Sequence, residues 1–261
     1  MKKQVNLLYF SPTGTTEKVV KAAGSKISDS VKEYNITLPK SRENSISFSK
    51  DDLVIVGVPV YSGRIPALIE DYFKNISGND TLAVLTSVYG HREYDDALLE
   101  LKHIFENKGF IPIAAAAFLG EHSFTDKLAG GRPDNYDIKI AEGFGKVVKD
   151  KLDKINDISD ISPFNIKGNF PYRERKPGSH MIPSTSNECV SCGVCANSCP
   201  TGAIDFDDYS NINENKCVTC CSCVKRCPTG AKSIQAEAYK KASAWLIENF
   251  SAVRKEPEIF I

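Results

Sequence analysis

Along residues 3–155, short apolar runs rich in Val, Ile, Leu and Phe alternate with segments whose apolar positions recur at helical spacing. That alternation is the signature of β-α units wound round a parallel sheet. It predicts strands at Gln4–Phe10, Val31–Thr37, Leu53–Val58, Leu82–Ser87 and Ile111–Phe118. Helices are predicted at Thr15–Ile27, Ala67–Lys74, Asp95–Lys108 and about Ile138–Ile155. Five strands expected to be buried on both faces make a doubly wound α/β domain over 1–155. From 156 to 186 the periodicity gives way to Pro163, Pro171, Pro177 and Pro183 with Gly168 and Gly178, an irregular, partly extended connector. Within it, Gly178-Ser179-His180-Met181 carries no functional signal. Over 236–261 the apolar positions Tyr239, Ala242, Trp245, Leu246 and Phe250 predict a C-terminal helical extension that packs its Trp245 face on one of the domains.

Charge removes several classes of function. Lys plus Arg and Asp plus Glu are 33 each, so no basic field exists to hold nucleic acid or an anionic membrane. The start of the chain is basic, but its apolar run ends at Phe10 without a small-residue cleavage site, so no signal peptide is expected. No apolar stretch approaches the roughly 20 residues that span a bilayer. A cytoplasmic protein is the expectation, and in that reducing compartment dense cysteines read as metal or cluster ligands rather than disulfides.

All nine cysteines lie between Cys189 and Cys227. Eight of them form two copies of C-x2-C-x2-C-x3-C-P: Cys189, Cys192, Cys195 and Cys199, then Cys217, Cys220, Cys223 and Cys227, each copy continuing Pro-Thr-Gly-Ala. Three thiolates at x2 spacing can converge from one tight loop on one face of a cubane, while the x3 step and proline turn the fourth away to the other cluster. The assignment is therefore Cys189, Cys192, Cys195 and Cys227 on one [4Fe-4S] cluster, and Cys217, Cys220, Cys223 and Cys199 on a second. Zinc sites prefer cysteine pairs with a longer spacer. Cys221 occupies the slot of Gly193 in the first copy and reads as a spare thiol. Residues 187–235 resemble the two-cluster clostridial-type ferredoxins over their full length.

After the first strand comes Ser11-Pro12-Thr13-Gly14-Thr15-Thr16, opening a helix. Hydroxyls and a glycine at a helix N-terminus present donors to a phosphate. Neither a Gly-Lys-Ser/Thr P-loop nor a G-x-G-x-x-G dinucleotide fingerprint is present. The third strand ends in Pro59-Val60-Tyr61-Ser62-Gly63-Arg64, and the fourth in Ser87-Val88-Tyr89-Gly90-His91-Arg92. In an open α/β sheet such carboxyl-end loops surround the ligand crevice.

These loops resemble those of the flavodoxin-like fold, strand order 2-1-3-4-5. The resemblance implies FMN, its phosphate held by Ser11, Thr13, Gly14, Thr15 and Thr16. Its ring would lie between Pro59–Arg64 and Ser87–Arg92, with Tyr61 and Tyr89 as the stacking candidates. The whole chain is similar to the flavodoxin-ferredoxin fusion proteins of anaerobic bacteria and archaea. That implies an electron-transfer iron-sulfur flavoprotein exchanging electrons between FMN and two low-potential [4Fe-4S] clusters, serving redox partner proteins. The rival reading is a flavin-dependent reductase of a small-molecule substrate fed by the ferredoxin part. Its substrate loop would be Gly120-Glu121-His122-Ser123 through Asp134, with His91, His122 or Arg132 as proton donor or anion clamp. The same segment reads equally as the surface that receives the ferredoxin part, or as a solvated loop.

Overall fold

The computed structural model describes residues 3–175 and 181–261, so Pro177 and Gly178-Ser179-His180 lie outside the described residues. The predicted alternation folds as a central sheet. In chain order β1 (Gln4–Tyr9), α1 (Thr15–Gly24), β2 (Val31–Asn35), β3 (Ile46–Phe48), β4 (Asp52–Pro59), α2 (Ala67–Phe73), β5 (Ile76–Gly78), β6 (Thr81–Tyr89), α3 (Ala97–Glu106), β7 (Phe110–Leu119) and α4 (Asn135–Leu152) build the first half. Strands β2, β1, β4, β6 and β7 pair in that order and in parallel. Counting only these main strands, the order is 2-1-3-4-5, that of the flavodoxin-like fold. The short β3 and β5 form a separate parallel pair, too brief to leave a period-2 signal.

Each face of the sheet has its own apolar layer. Val19, Val20, Phe144 and Val148 of α1 and α4 cover one face, while Ile69, Phe73, Leu98, Leu101 and Phe105 of α2 and α3 cover the other. Helix α4 begins where Asp134 accepts the backbone N–H groups of Tyr136 and Asp137 at 2.9 and 3.0 Å in a capping box. No helix among the described residues is long and apolar enough to cross a membrane.

The second half is sparse in apolar core. It contains β8 (Ser184–Thr185), α5 (Val194–Asn197), α6 (Ser222–Arg226), β9 (Lys232–Ser233), α7 (Glu237–Phe250) and β10 (Glu258–Phe260). β8 and β9 pair antiparallel, and the cluster of buried apolar residues here is only Cys195, Ala196, Ile204 and Cys223. A segment this thin needs bound groups as staples.

Two expectations are corrected. The C-terminal extension is helical only as far as Phe250. Beyond it β10 adds a sixth, antiparallel strand to the exposed edge of β7, pairing Glu258 with Ala117 and Phe260 with Ala115, which closes an otherwise open edge. Trp245 is 51% exposed and stacks edge-on with Phe250, whereas Leu246 is buried. At 3.6 residues per turn Leu246 falls almost in line with Tyr239, and Trp245 lies about 120° away.

The connector is fastened rather than free as far as Arg173 and Arg175. Asp96 is buried and accepts the backbone N–H groups of Asn169 and Arg173 at 2.8 and 2.7 Å. Phe164 and Ile166 pack on the α2/α3 layer, and Tyr172 shares a 2.7 Å hydrogen bond with His103 Nδ1. Glu100, also buried, receives Arg64 through two bonds of 2.7 and 2.6 Å and Arg175 through one of 3.0 Å.

Burial pushes the Asp96 carboxyl up, but the N–H groups of Arg173 and Asn169 outweigh it and hold the group below its ordinary value. Its contribution is therefore full above about pH 4 and is lost as pH falls through the lower folded value. Asp96→Ala should cost about 2–4 kcal/mol, because it strands two backbone donors. Urea unfolding at pH 7 should show this as a lower midpoint, with the gap to the unsubstituted protein narrowing towards pH 3. A midpoint change equivalent to under about 0.5 kcal/mol at pH 7 would mean the connector is not held there.

Candidate functional site at the sheet edge and the cysteine loops

The loop after β1 turns through Gly14, which sits at φ 85° as the N-cap of α1 and supplies no side-chain cap. A residue with a Cβ is disfavoured in that left-handed conformation. Ser11 works internally: its N–H donates to Thr37 Oγ1 at 2.9 Å and its Oγ accepts the Glu17 N–H at 3.0 Å. Thr16 is 1% exposed, and its Oγ1 has no hydrogen-bond partner among the described residues. A buried hydroxyl without a partner is costly, and at a helix N-terminus it points to an anionic ligand.

A crevice opens here at the carboxyl ends of the strands. Ser11, Pro12, Thr13, Thr15 and Thr16 form one wall, Pro59, Val60 and Tyr61 a second, and Val88, Tyr89 and Gly90 a third. Gly120 through Ser123 complete it from the loop after β7. Gly120 is confined: a Cβ there would lie 2.9 Å from Thr15 Cβ and 3.0 Å from Val88 Cγ1. His122 Nδ1 accepts the Phe124 N–H at 3.1 Å, and burial together with Lys225 and Arg92 pushes the imidazole down to about 4. It is neutral at physiological pH, with Nε2 left as the donor.

Several predicted ring-loop residues are used elsewhere. Ser62 and Gly63 form a tight turn with φ of 52° and 82°, closed by reciprocal backbone bonds between Tyr61 and Arg64. Arg64 turns away to Glu100. Ser87 is buried in β6 with its Oγ unpartnered. Tyr89 borders the crevice, but at 3% exposure its ring packs in the core 5.5 Å from Tyr94, so it offers no stacking face. His91 receives the Lys255 N–H at 3.3 Å and Arg92 pairs with Asp95, both on the side of the C-terminal tail. Arg132 is bound by Asp137 and by the Lys255 carbonyl, so it is no anion clamp. These positions follow the loops by offset, but buried carboxylates and the tail capture their side chains.

The cysteines surround two cavities. Cys189, Cys192, Cys195 and Cys227 line one, and Cys199, Cys217, Cys220 and Cys223 line the other together with Cys221. The crossing of the fourth cysteines is thus present in the placement of the side chains. Cys221 takes a φ of 60° at the slot where Gly193 has 73°, and its thiol is buried. Thr201 and Thr229 bring their hydroxyls to 3.6 and 3.7 Å from the sulfurs of Cys199 and Cys227, and the Ala203 N–H donates to Cys199 at 3.2 Å. Sequence reasoning missed these sulfur partners, although the repeated Pro-Thr-Gly-Ala after each fourth cysteine carries the signal.

The two sites meet. Cys220 lines both the second cysteine cavity and the sheet-edge crevice. Burial beside the Cys220 and Cys221 thiols pushes the Tyr61 phenol well above its ordinary value. Helix α6 docks on the loop after β1: Ser222 Oγ donates to the Pro12 carbonyl at 2.8 Å and Arg226 Nε at 3.1 Å. Lys225 pairs with Glu121, Arg42 Nη2 donates to the Pro200 carbonyl at 2.5 Å, and Tyr239 donates to the Phe124 carbonyl at 2.6 Å. The Gly120–Phe124 loop is therefore part of the surface that receives the second half, together with Pro12 and Arg42.

Residues 188–231 match the 4Fe-4S dicluster domain family. No curated protein matches the chain. Solved structures similar to it include a flavodoxin from the domain Archaea, at 13% identity and a TM-score of 0.40 over 57% of this chain and 99% of that one. Oxidised flavodoxin 1 from Bacillus cereus gives 16%, 0.40, 56% and 98%. An NADH:FMN oxidoreductase (EMOB) in its apo form gives 14%, 0.42, 61% and 94%. At that degree of likeness the flavodoxin-like fold rests on the strand order itself.

Ser222→Ala should loosen the junction, because it leaves the Pro12 carbonyl short of its nearest donor. Amide hydrogen exchange should quicken in residues 13–16 and 222–226 and stay unchanged in β4 and β6. Unchanged exchange in both junction segments would show that α6 is not seated on the loop.

Proposed function

We propose that the chain is an electron-transfer protein in which FMN, held at the sheet-edge crevice, exchanges electrons with two [4Fe-4S] clusters held by the crossed cysteine sets. The observation that carries this reading is Cys220, which belongs to the wall of the crevice and to the second cysteine cavity at once. Flavin accepts one or two electrons and each cluster one, so together they can split or merge electron pairs.

The residues fit these groups. Thr16 offers a buried, unpartnered hydroxyl, and the first turn of α1, where Ser11 Oγ already takes the Glu17 N–H, offers its remaining N–H groups to a phosphate. With a single such loop and no dinucleotide fingerprint, a mononucleotide is the matching flavin. Tyr61 is the remaining aromatic of the crevice walls free of the core. Among the described residues no three His, Cys, Asp or Glu side chains converge as one metal ion requires. Thiols spread round two cavities suit cubanes better than tetrahedral zinc. Thr201, Thr229 and the Ala203 N–H lie against the fourth sulfurs, where such partners tune a cluster's potential.

Cys189, Cys192, Cys195 and Cys227 line the cavity that does not touch the crevice, and Cys192 is exposed beside Val190 at 64% exposure. That cavity is where an external redox protein would exchange electrons. A small-molecule reductase is the weaker reading: the second half occupies the loop that would admit substrate, and of His91, His122 and Arg132 only His122 lines the crevice.

Anaerobically prepared protein should contain about eight iron and eight acid-labile sulfide per chain, and release FMN rather than FAD on denaturation. Cys221→Ser should keep the full iron content, whereas Cys220→Ser should lose about half of it. Stoichiometric zinc without sulfide, or equal iron loss in both variants, would overturn the assignment.

A further inference from the structure

We propose that Arg226, a residue of the cysteine-rich half, is the cation of the flavin phosphate site, so that the phosphate is gripped jointly by both halves of the chain. This rests on Ser11–Thr16 being the phosphate loop. That loop contains no basic residue, and the next position, Glu17, is paired with Lys21 at 2.8 Å. Its own donors are neutral hydroxyls and backbone N–H groups, of which Thr16 Oγ1 is buried and unpartnered. A phosphate monoester bears between one and two negative charges at neutral pH. The first half leaves that charge without a counter-ion from the loop.

Arg226 supplies one from across the junction. Its Nε donates to the Pro12 carbonyl at 3.1 Å, and its Nη2 lies 3.9 Å from the point where a Cβ on Gly14 would sit. Among the described residues its guanidinium makes no ion pair, whereas its neighbour Lys225 is already neutralised by Glu121. The position is distinctive within the repeat: the first copy has Asn197 and Ser198 where the second has Lys225 and Arg226. Helix α6 is held in place by Ser222 on Pro12, and it carries Cys223 and runs into Cys227, which face different cysteine cavities. The cation is thus positioned by the cluster ligands themselves. It follows that flavin retention is linked to the clusters, and by reciprocity that a phosphorylated flavin tightens the seating of α6.

Flavin is stripped from the anaerobic, cluster-loaded protein, and FMN and riboflavin are titrated back by fluorescence quenching. Arg226→Gln, with iron content unchanged, should weaken FMN about ten- to a hundredfold, as expected for one lost charge-assisted hydrogen bond, and leave riboflavin within about threefold. Arg226→Lys should keep most of the preference for FMN. Unchanged FMN affinity in Arg226→Gln, or an equal loss for both flavins, would overturn the proposal. If that variant loses iron, Arg226→Lys with its iron intact decides: a retained FMN preference supports the site and a lost one refutes it. Thr16→Val separates the two readings. If it weakens FMN while Arg226→Gln does not, the phosphate loop stands and the role of Arg226 falls. If the unsubstituted protein does not prefer FMN to riboflavin, the phosphate loop itself is wrong.

Discussion

The carbonyl of Pro12 is the point on which the two halves of this molecule meet. It lies in the loop that opens α1, and it accepts hydrogen bonds from Ser222 and Arg226 at the two ends of α6. One end of that short helix begins after Cys221 and the other runs into Cys227, so its position is dictated by the cysteine loops. The same contact that closes the junction therefore brings Cys220 into the wall of the crevice. Were α6 displaced by a turn, about 5 Å, the shared wall would be lost.

Polar contacts fasten this geometry. Arg42 to Pro200, Lys225 to Glu121 and Tyr239 to Phe124 tie loops to loops. On the opposite side, buried Asp96 and Glu100 hold the connector through Asn169, Arg173 and Arg175. Each bond alone is modest, about 1 kcal/mol net and more where a charge takes part. Together they convert what the prolines suggest is a tether into a strap, and the tail returns as β10 to pair with β7. In the proposed function this replaces diffusional docking of a carrier by a permanent contact.

What could be read from the chain divides by the range of the forces involved. The main strands β1, β4, β6 and β7 were legible because burial on both faces imposes apolar runs. The edge strand β2, VKEYN, is largely exposed and was legible only from its place between the first helical pattern and the next apolar strand. The ends of the strands and of the four helices of the first half shifted by only a few residues. The cysteine sets were legible because ligand geometry imposes spacing. β10 was not: three residues, Glu258 to Phe260, are too few for a period, and their partner lies in β7, far away in the chain. Arg64, His91 and Arg92 illustrate the converse. Their place after a strand end predicts a ligand loop, but Glu100, the tail at Lys255 and Asp95 claim their side chains, and no local pattern encodes those partners. Arg226 was hidden in plain view between two cysteines, since only the folded junction shows that it reaches the loop after β1.

The central claim is that electrons pass between crevice and cysteine cavities inside one chain. Stopped-flow mixing with a saturating low-potential donor, followed at the flavin absorbance, addresses it directly. The account predicts a limiting first-order rate that stays constant over an about tenfold range of protein concentration and is insensitive to salt, because no encounter between exposed charges is needed. A limiting rate that rises in proportion to protein concentration, or falls steeply with ionic strength, would contradict it and show that the two halves serve separate partners.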